Sequence, residues 1–235
     1  MLQCVIVGGF GYFRFQTPAK DKMIGLCPFC KRQFLLQNAE IGQDRDFISC
    51  SNPGGRFLPE FNGIGGEFMS LKVFSDAFEN GRIKDQYGKM SSDVIEGVPQ
   101  LSFPIKWENA PEGTKSFAIV FIDYDNAIGE GIIWVHWLAA NIPASATGLE
   151  EDAARTDASL LQGKTTFMLS NGLDNPVSNR YGGPAPEDRP HEYELQVFAL
   201  SDMLDLKPGY YYNEFLKEIR GKVLDTAVIR GMYNN

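Results

Sequence analysis

Two nearly unbroken apolar runs, Phe117–Ile122 and Ile132–Ile142, stand either side of a nine-residue gap that holds Asp123, Asp125, Gly129 and Gly131. Neither run has the 3.6-residue period of an amphipathic helix, and both are rich in Ile, Val, Phe or Trp. Such runs suit strands covered on both faces. The short gap predicts that the two strands lie side by side at the centre of a sheet, with the acids and glycines at one end. The second run carries His136 between Trp134 and Trp137. The only other histidine, His191, follows a loop rich in glycine and proline and opens the alternating stretch Glu192–Leu200. Two histidines placed alike at loop-to-strand junctions point to one site built from two distant pieces.

Around this pair the chain reads as mostly β. Leu71-Lys-Val-Phe and Ile105-Lys-Trp-Glu are short alternating pieces. In Glu192–Leu200, Tyr193, Leu195 and Val197 share one face and Glu192, Glu194 and Gln196 the other, which predicts a half-buried strand near a sheet edge. Tyr212, Phe215, Leu216, Ile219 and Val223 follow one helical face over about three turns, starting after Pro208-Gly209. Residues 225–233 read as a closing strand. The expected fold is an antiparallel β domain with one or two peripheral helices. The span from Leu173 to Pro190, dense in Pro, Gly, Asn and Asp, is a long loop of the kind that carries function or lacks order.

Charge divides the chain. Residues 1–68 carry 7 Lys and Arg against 6 Asp and Glu, whereas the chain as a whole carries 22 against 30, a net charge of −8. The acidic balance argues against nucleic acid and anionic membranes as partners. No apolar stretch reaches the ~20 residues of a membrane span, and the first residues lack the pattern of a secretory signal, so a cytoplasmic protein without stable membrane insertion is expected. All four cysteines lie at or before Cys50, so the later part is held by its core alone. Cys27-Pro-Phe-Cys30 has the spacing of a zinc knuckle, and Cys50 follows where a second would begin. Pro53 stands where the fourth thiolate would be, leaving Cys4, Asp44 or Asp46 to complete a site. Residues 1–68 therefore read as an N-terminal extension that is a degenerate zinc ribbon, a disordered segment, or not part of the native product. The last reading comes from Gly65-Gly-Glu just ahead of Met69. Residues 69–235 form the main domain, for which neither a metal nor a cofactor is expected.

The segments Lys115–Asp125, Trp134–Pro143, Arg180-Tyr-Gly-Gly-Pro-Ala-Pro and Pro190-His-Glu-Tyr, in that order, resemble the phosphatidylethanolamine-binding protein family, also called Raf kinase inhibitor-like proteins, in its bacterial type. The resemblance implies a large antiparallel β fold with a small anion-binding pocket at one end of the central sheet. Carried over residue by residue, that pocket falls on Asp123, Asp125, Trp134, His136, Gly183, Pro184, His191 and Tyr193, with Tyr181 beside them. It also departs from the family: Tyr124 and Ile128 stand where prolines are usual, and Glu187, Arg189 and Glu192 replace Pro, Gly and Arg. Two imidazoles and the amides of Gly182 and Gly183 would supply donors for an oxyanion, with Asp123 behind a histidine to fix its tautomer. Binding would then strengthen as pH falls between about 5 and 8. The implied function is that of a ligand-binding or regulatory protein for a small anionic or phosphoryl-bearing ligand. The alternatives are a modulator of a kinase, protease or other protein partner, and a hydrolase in which His136 and Asp123 activate Ser170 or Ser178. The resemblance leaves a homodimer open.

Overall fold

The computed structural model describes residues 70–234 and, before them, four strands, Gln3–Val7, Phe10–Phe15, Lys22–Leu26 and Gln33–Leu36. The chain divides into two compact units, Met1–Gly65 and Gly66–Asn235. In the first, the four strands pair antiparallel in chain order. Cys27, Cys30, Asp44, Asp46 and Cys50, which carry the zinc reading, lie outside the described residues.

The second unit is built on a seven-stranded sheet in the order Leu161–Gln162, Trp134–Pro143, Ser116–Asp123, His191–Leu200, Val223–Tyr233, Arg82–Ile83, Phe78–Glu79. Every pairing is antiparallel except the single bridge Met232↔Arg82. A three-stranded sheet of Gly148–Leu149, Ile105–Glu108 and Lys72–Phe74 and a hairpin of Val94–Ile95 with Val98–Pro99 complete the β structure. The fold is mostly β, as the two apolar runs require.

All eight residues of Ser116–Asp123 are buried, because the sheet is covered on both faces. Phe117, Ile119 and Phe121 enter one core with Phe103, Trp137 and Leu195. Ala118, Val120 and Ile122 enter the other with Leu138, Leu200 and Phe215. Phe103 organises the first core, meeting the rings of Phe121, Phe78 and Tyr181 edge to face at 5.0, 5.3 and 5.5 Å. Edge-to-face contacts of this kind add to plain area burial.

Three local expectations are corrected. His191–Leu200 is the fourth strand of seven and lies far from the edge; its alternation records which face is covered, while Val223–Tyr233 and the Phe78–Ile83 hairpin add outside it. The gap after Asp123 contains a helix, Asn126–Glu130, closed by Gly131 at φ 75°. Its first amide, Asn126 N, donates to Asp123 Oδ1 at 3.1 Å, so the acid holds the turn in place. The later helix is only Tyr212–Glu218, since Gly221 at φ 74° turns the chain into the final strand at Val223.

Pairing along Trp134–Pro143 is irregular where it matters. Register steps from Phe121↔Trp137 to Ile122↔Val135, which leaves His136 as the extra residue of a β-bulge. A bulge breaks the two-residue alternation. Trp137 consequently joins Phe121 in the first core, and His136 packs against that same Phe121 ring at 5.5 Å. Strict alternation would place Trp137 on the face opposite His136.

Candidate functional site

Asp123 ends the central strand with Trp134 opposite it on one neighbour and Tyr193 on the other. At this end of the sheet lies a cavity of about 620 Å³ whose lining includes Asp123, Trp134, His136, Phe167, His191 and Tyr193. The Tyr193 ring lies 5.2 Å from that of His136 and 6.4 Å from that of His191, joining the two histidines in one aromatic wall. Glu96 and Gly97, at the tip of the 94–99 hairpin, form another wall. That tip is tied down by Asn171 and Asn175, which donate to the Glu96 carbonyl and carboxylate, and its base by Arg155, which bridges Asp93 and Asp152.

The two histidines differ in chemistry. His136 Nδ1 donates to the Gly182 carbonyl at 2.7 Å, while Gly182 N donates back to the His136 carbonyl at 2.9 Å. This reciprocal clamp fixes the neutral tautomer that presents Nε2 as an acceptor. Burial among Phe121, Phe167 and Tyr193 lowers the His136 pKa to about 4, against smaller raising effects from the Gly182 carbonyl and Asp123. Across pH 5 to 8 this ring is therefore uncharged and would not make binding of an anion strengthen as pH falls, as the sequence led us to expect.

The clamp demands glycine. A Cβ at position 182 would stand 2.2 Å from the Phe167 ring that forms the cavity wall. Gly182→Ala is expected to lower stability by about 2 kcal/mol, the usual size of an overpacking penalty, and to move Phe167. Urea denaturation checks this, and a change below about 0.5 kcal/mol would refute the close packing.

His191 is held by acids on both sides. Its Nδ1 meets Asp123 Oδ2 at 2.7 Å, and its Nε2 meets Asp188 Oδ1 at 2.8 Å. Ionised carboxylates only accept, so both contacts are satisfied together when the ring carries two N–H groups. Asp123 is nearly sealed from solvent, and it also raises the Tyr193 hydroxyl pKa, in addition to the larger effect of burial. Asp188 sits at the mouth with its side chain half exposed, and Arg189 Nη1 donates to its second oxygen at 2.6 Å.

Residues 74–234 match the family model described as phosphatidylethanolamine-binding protein. The chain belongs to the phosphatidylethanolamine-binding protein family. Among its relatives, the YxkA protein of Bacillus subtilis is 39% identical over 159 residues, covering 66% of this chain and 94% of YxkA. A protein of Methanothermobacter thermautotrophicus is 32% identical over 170 residues, covering 70% of this chain and 98% of its own. Among solved structures, Escherichia coli YbcL, described as a new member of the mammalian family, superposes with a TM-score of 0.59 at 26% identity, covering 71% of this chain and 99% of YbcL.

Within this phosphatidylethanolamine-binding protein domain, the residues singled out by sequence fall in two groups. Asp123, Trp134, His136, His191 and Tyr193 line the cavity. Tyr181, Gly183, Pro184 and Asp125 are not among its lining residues. Tyr181 is fully buried, its hydroxyl donating to the Tyr87 carbonyl at 2.6 Å, and Gly183 N donates to the Pro99 carbonyl at 2.8 Å. The Pro184 carbonyl accepts from Lys89 N, and Asp125 Oδ2 from Glu192 N at 3.0 Å. The amides of Gly182 and Gly183 are thus already used within the fold. Ser170 donates to Asn171 and Ser178 to the Gly172 carbonyl, and among the described residues neither is hydrogen-bonded to a histidine.

Asp188 and Phe167 also line the cavity and carry no sequence signal of their own. An aspartate in a proline-rich loop reads as a turn former, and a phenylalanine far from both histidines reads as core. Trp134 Nε1 is buried and has no acceptor among the described residues, an arrangement that costs roughly 1–3 kcal/mol.

Proposed function

We propose that this domain binds one small phosphoryl-bearing ligand in the cavity and works as a ligand-binding or regulatory protein. The observation that carries this reading is the contact of His191 Nε2 with a carboxylate of the chain itself: the imidazole, backed by buried Asp123, already grips an oxyanion. The neutral His136 Nε2 accepts on the same cavity, so the complementary ligand offers both an anionic oxygen and a donor hydrogen. A singly ionised phosphate ester has both. Among the described residues the lining also contains Glu96, Glu130 and Glu187 and neither lysine nor arginine, which disfavours a fully ionised ligand and favours one that keeps a proton or carries an ammonium group.

Titration of the whole protein with phosphoethanolamine and with inorganic phosphate near pH 6, followed calorimetrically, tests the reading. Saturable binding is expected, weakened at least tenfold by His191→Gln. No binding in the wild type, or equal binding in the variant, would remove it.

A further inference from the structure

We infer that the tip of the 94–99 hairpin is a latched flap on the cavity, and that release of the latch sets how fast a phosphoryl ligand enters and leaves. The inference rests on the reading of the cavity as a phosphoryl site and adds the part of its wall that moves.

The two strands of the hairpin are fixed unequally. Val98 and Pro99 are buried, Val98 packs with Phe167 and Val177, and the Pro99 carbonyl accepts from Gly183 N. Below the tip, Gln100 N donates to the Asp93 carbonyl at 3.0 Å, and Arg155 holds the Asp93 carboxylate. Val94 and Ile95, by contrast, are 44% and 38% exposed, and a Cβ on Gly97 would meet nothing within 4 Å. Among the described residues, the hydrogen bonds that join residues 94–97 to the rest of the fold come from two side chains. Asn171 donates to the Glu96 carbonyl and Asn175 to its carboxylate. A segment with few packed atoms and exposed hydrogen bonds is where a fold opens most readily.

The residue at 96 does not suit its own backbone. Glu96 and Gly97 are both left-handed, at φ 50° and 81°, as the two-residue turn of a hairpin requires. The same turn closes the Phe78–Ile83 hairpin, where φ is 53° and 75° and the residues are Asn80-Gly81, the pair that adopts this geometry most readily. Glutamate is a poor occupant of the first position, which glycine, asparagine and aspartate visit with ease. What it adds is reach, since its carboxylate meets Asn175. Strain kept at a residue that also lines a cavity points to function in that residue.

The receiving side is set in advance. Asn171 Oδ1 accepts from Ser170 Oγ at 2.8 Å, and Asn175 Oδ1 from Val177 N at 3.0 Å. With both amide oxygens engaged, both NH₂ groups are left to Glu96. Asn171 and Glu96 both line the cavity, so the latch joins two of its walls, and parting them widens the opening between. Flaps and lids of this kind move on microsecond to millisecond scales and gate the exchange of ligands.

The test uses the whole protein and three variants. Asn175→Ser keeps an oxygen for Val177 N but has no group long enough to reach Glu96. Glu96→Asn suits the turn and withdraws the side chain from Asn175, whereas Glu96→Gln keeps an acceptor at full length. Backbone amide order parameters at Ile95, Glu96 and Gly97, from NMR relaxation, should fall from about 0.85 to below about 0.6 in Asn175→Ser and Glu96→Asn and stay near wild type in Glu96→Gln. Melting temperature should be unchanged or higher in Glu96→Asn, which separates the latch from general stability. Exchange of inorganic phosphate near pH 6, followed by phosphorus NMR line shape, should be at least fivefold faster in Asn175→Ser in both directions, with affinity within threefold of wild type. Order parameters unchanged in Asn175→Ser and Glu96→Asn would overturn the flap, whatever phosphate does. A mobile tip with unchanged phosphate exchange would overturn the gate and leave the phosphoryl site standing. No phosphate binding in any of the proteins would overturn the site, and the gate with it.

Discussion

Replacing Asp123 with alanine is expected to lower stability by about 4 kcal/mol, the scale for breaking a buried, hydrogen-bonded acid–imidazole pair from one side. The residue is 2% exposed and its partner His191 is 4% exposed, so water does not take over the lost contact. Three groups depend on the carboxylate. His191 Nδ1 loses its acceptor at 2.7 Å, Asn126 N loses the oxygen that starts the 126–130 helix, and the Tyr193 hydroxyl loses its hydrogen bond to the acid. Asp123→Asn should fall between wild type and alanine, because the amide oxygen still accepts while its NH₂ group cannot. Equilibrium urea unfolding measures the loss, and a value for alanine below about 1 kcal/mol would show that the pair is not a principal contributor. A double variant with His191→Phe should lose less than the sum of the single changes, as expected for groups that act together.

The second large effect is acid sensitivity seated at His136. Its pKa lies near 4 in the folded chain against an ordinary 6.5, so below 6.5 the unfolded state binds the proton and the folded state refuses it. Stability from this group is fully present above pH 6.5 and is lost as pH falls toward 4, about 3 kcal/mol in all at 1.36 kcal/mol per unit. Urea midpoints collected from pH 7 to 4 should show the decline. In His136→Gln, which has no ring to protonate, the slope over that window should be smaller by the same amount. Parallel profiles for the two proteins would mean that the imidazole is not kept neutral by burial.

The central sheet was legible because composition and spacing agree on it. The apolar runs at 117–122 and 132–142 have one sensible arrangement, and the order of the matching segments brings His191 to the same end. What remained hidden depends on contacts across the chain. The place of His191–Leu200 in the middle of the sheet is decided by strands that pair outside it, and alternation within a strand contains no count of its neighbours. The Asn126–Glu130 helix has no signal within its own five residues because the group that starts it, Asp123 Oδ1, belongs to the preceding strand. Asp123 was expected behind a histidine, and only the fold chooses His191 for it, since His136 has spent its Nδ1 on Gly182. Tyr181 and Gly183 follow the same logic in reverse: they sit next to the site in sequence, yet their polar groups are consumed by Tyr87 and Pro99.

The bulge at His136 means that this site is written in chain length as well as in letters. A column-by-column comparison of sequences scores residues for likeness and treats a one-residue gap as noise. Here the single surplus residue between Val135 and Trp137 determines which side chain meets the clamp at Gly182. Two relatives with the same tryptophans and the same histidine, differing by one position of spacing in this strand, would therefore present different chemistry at the same address.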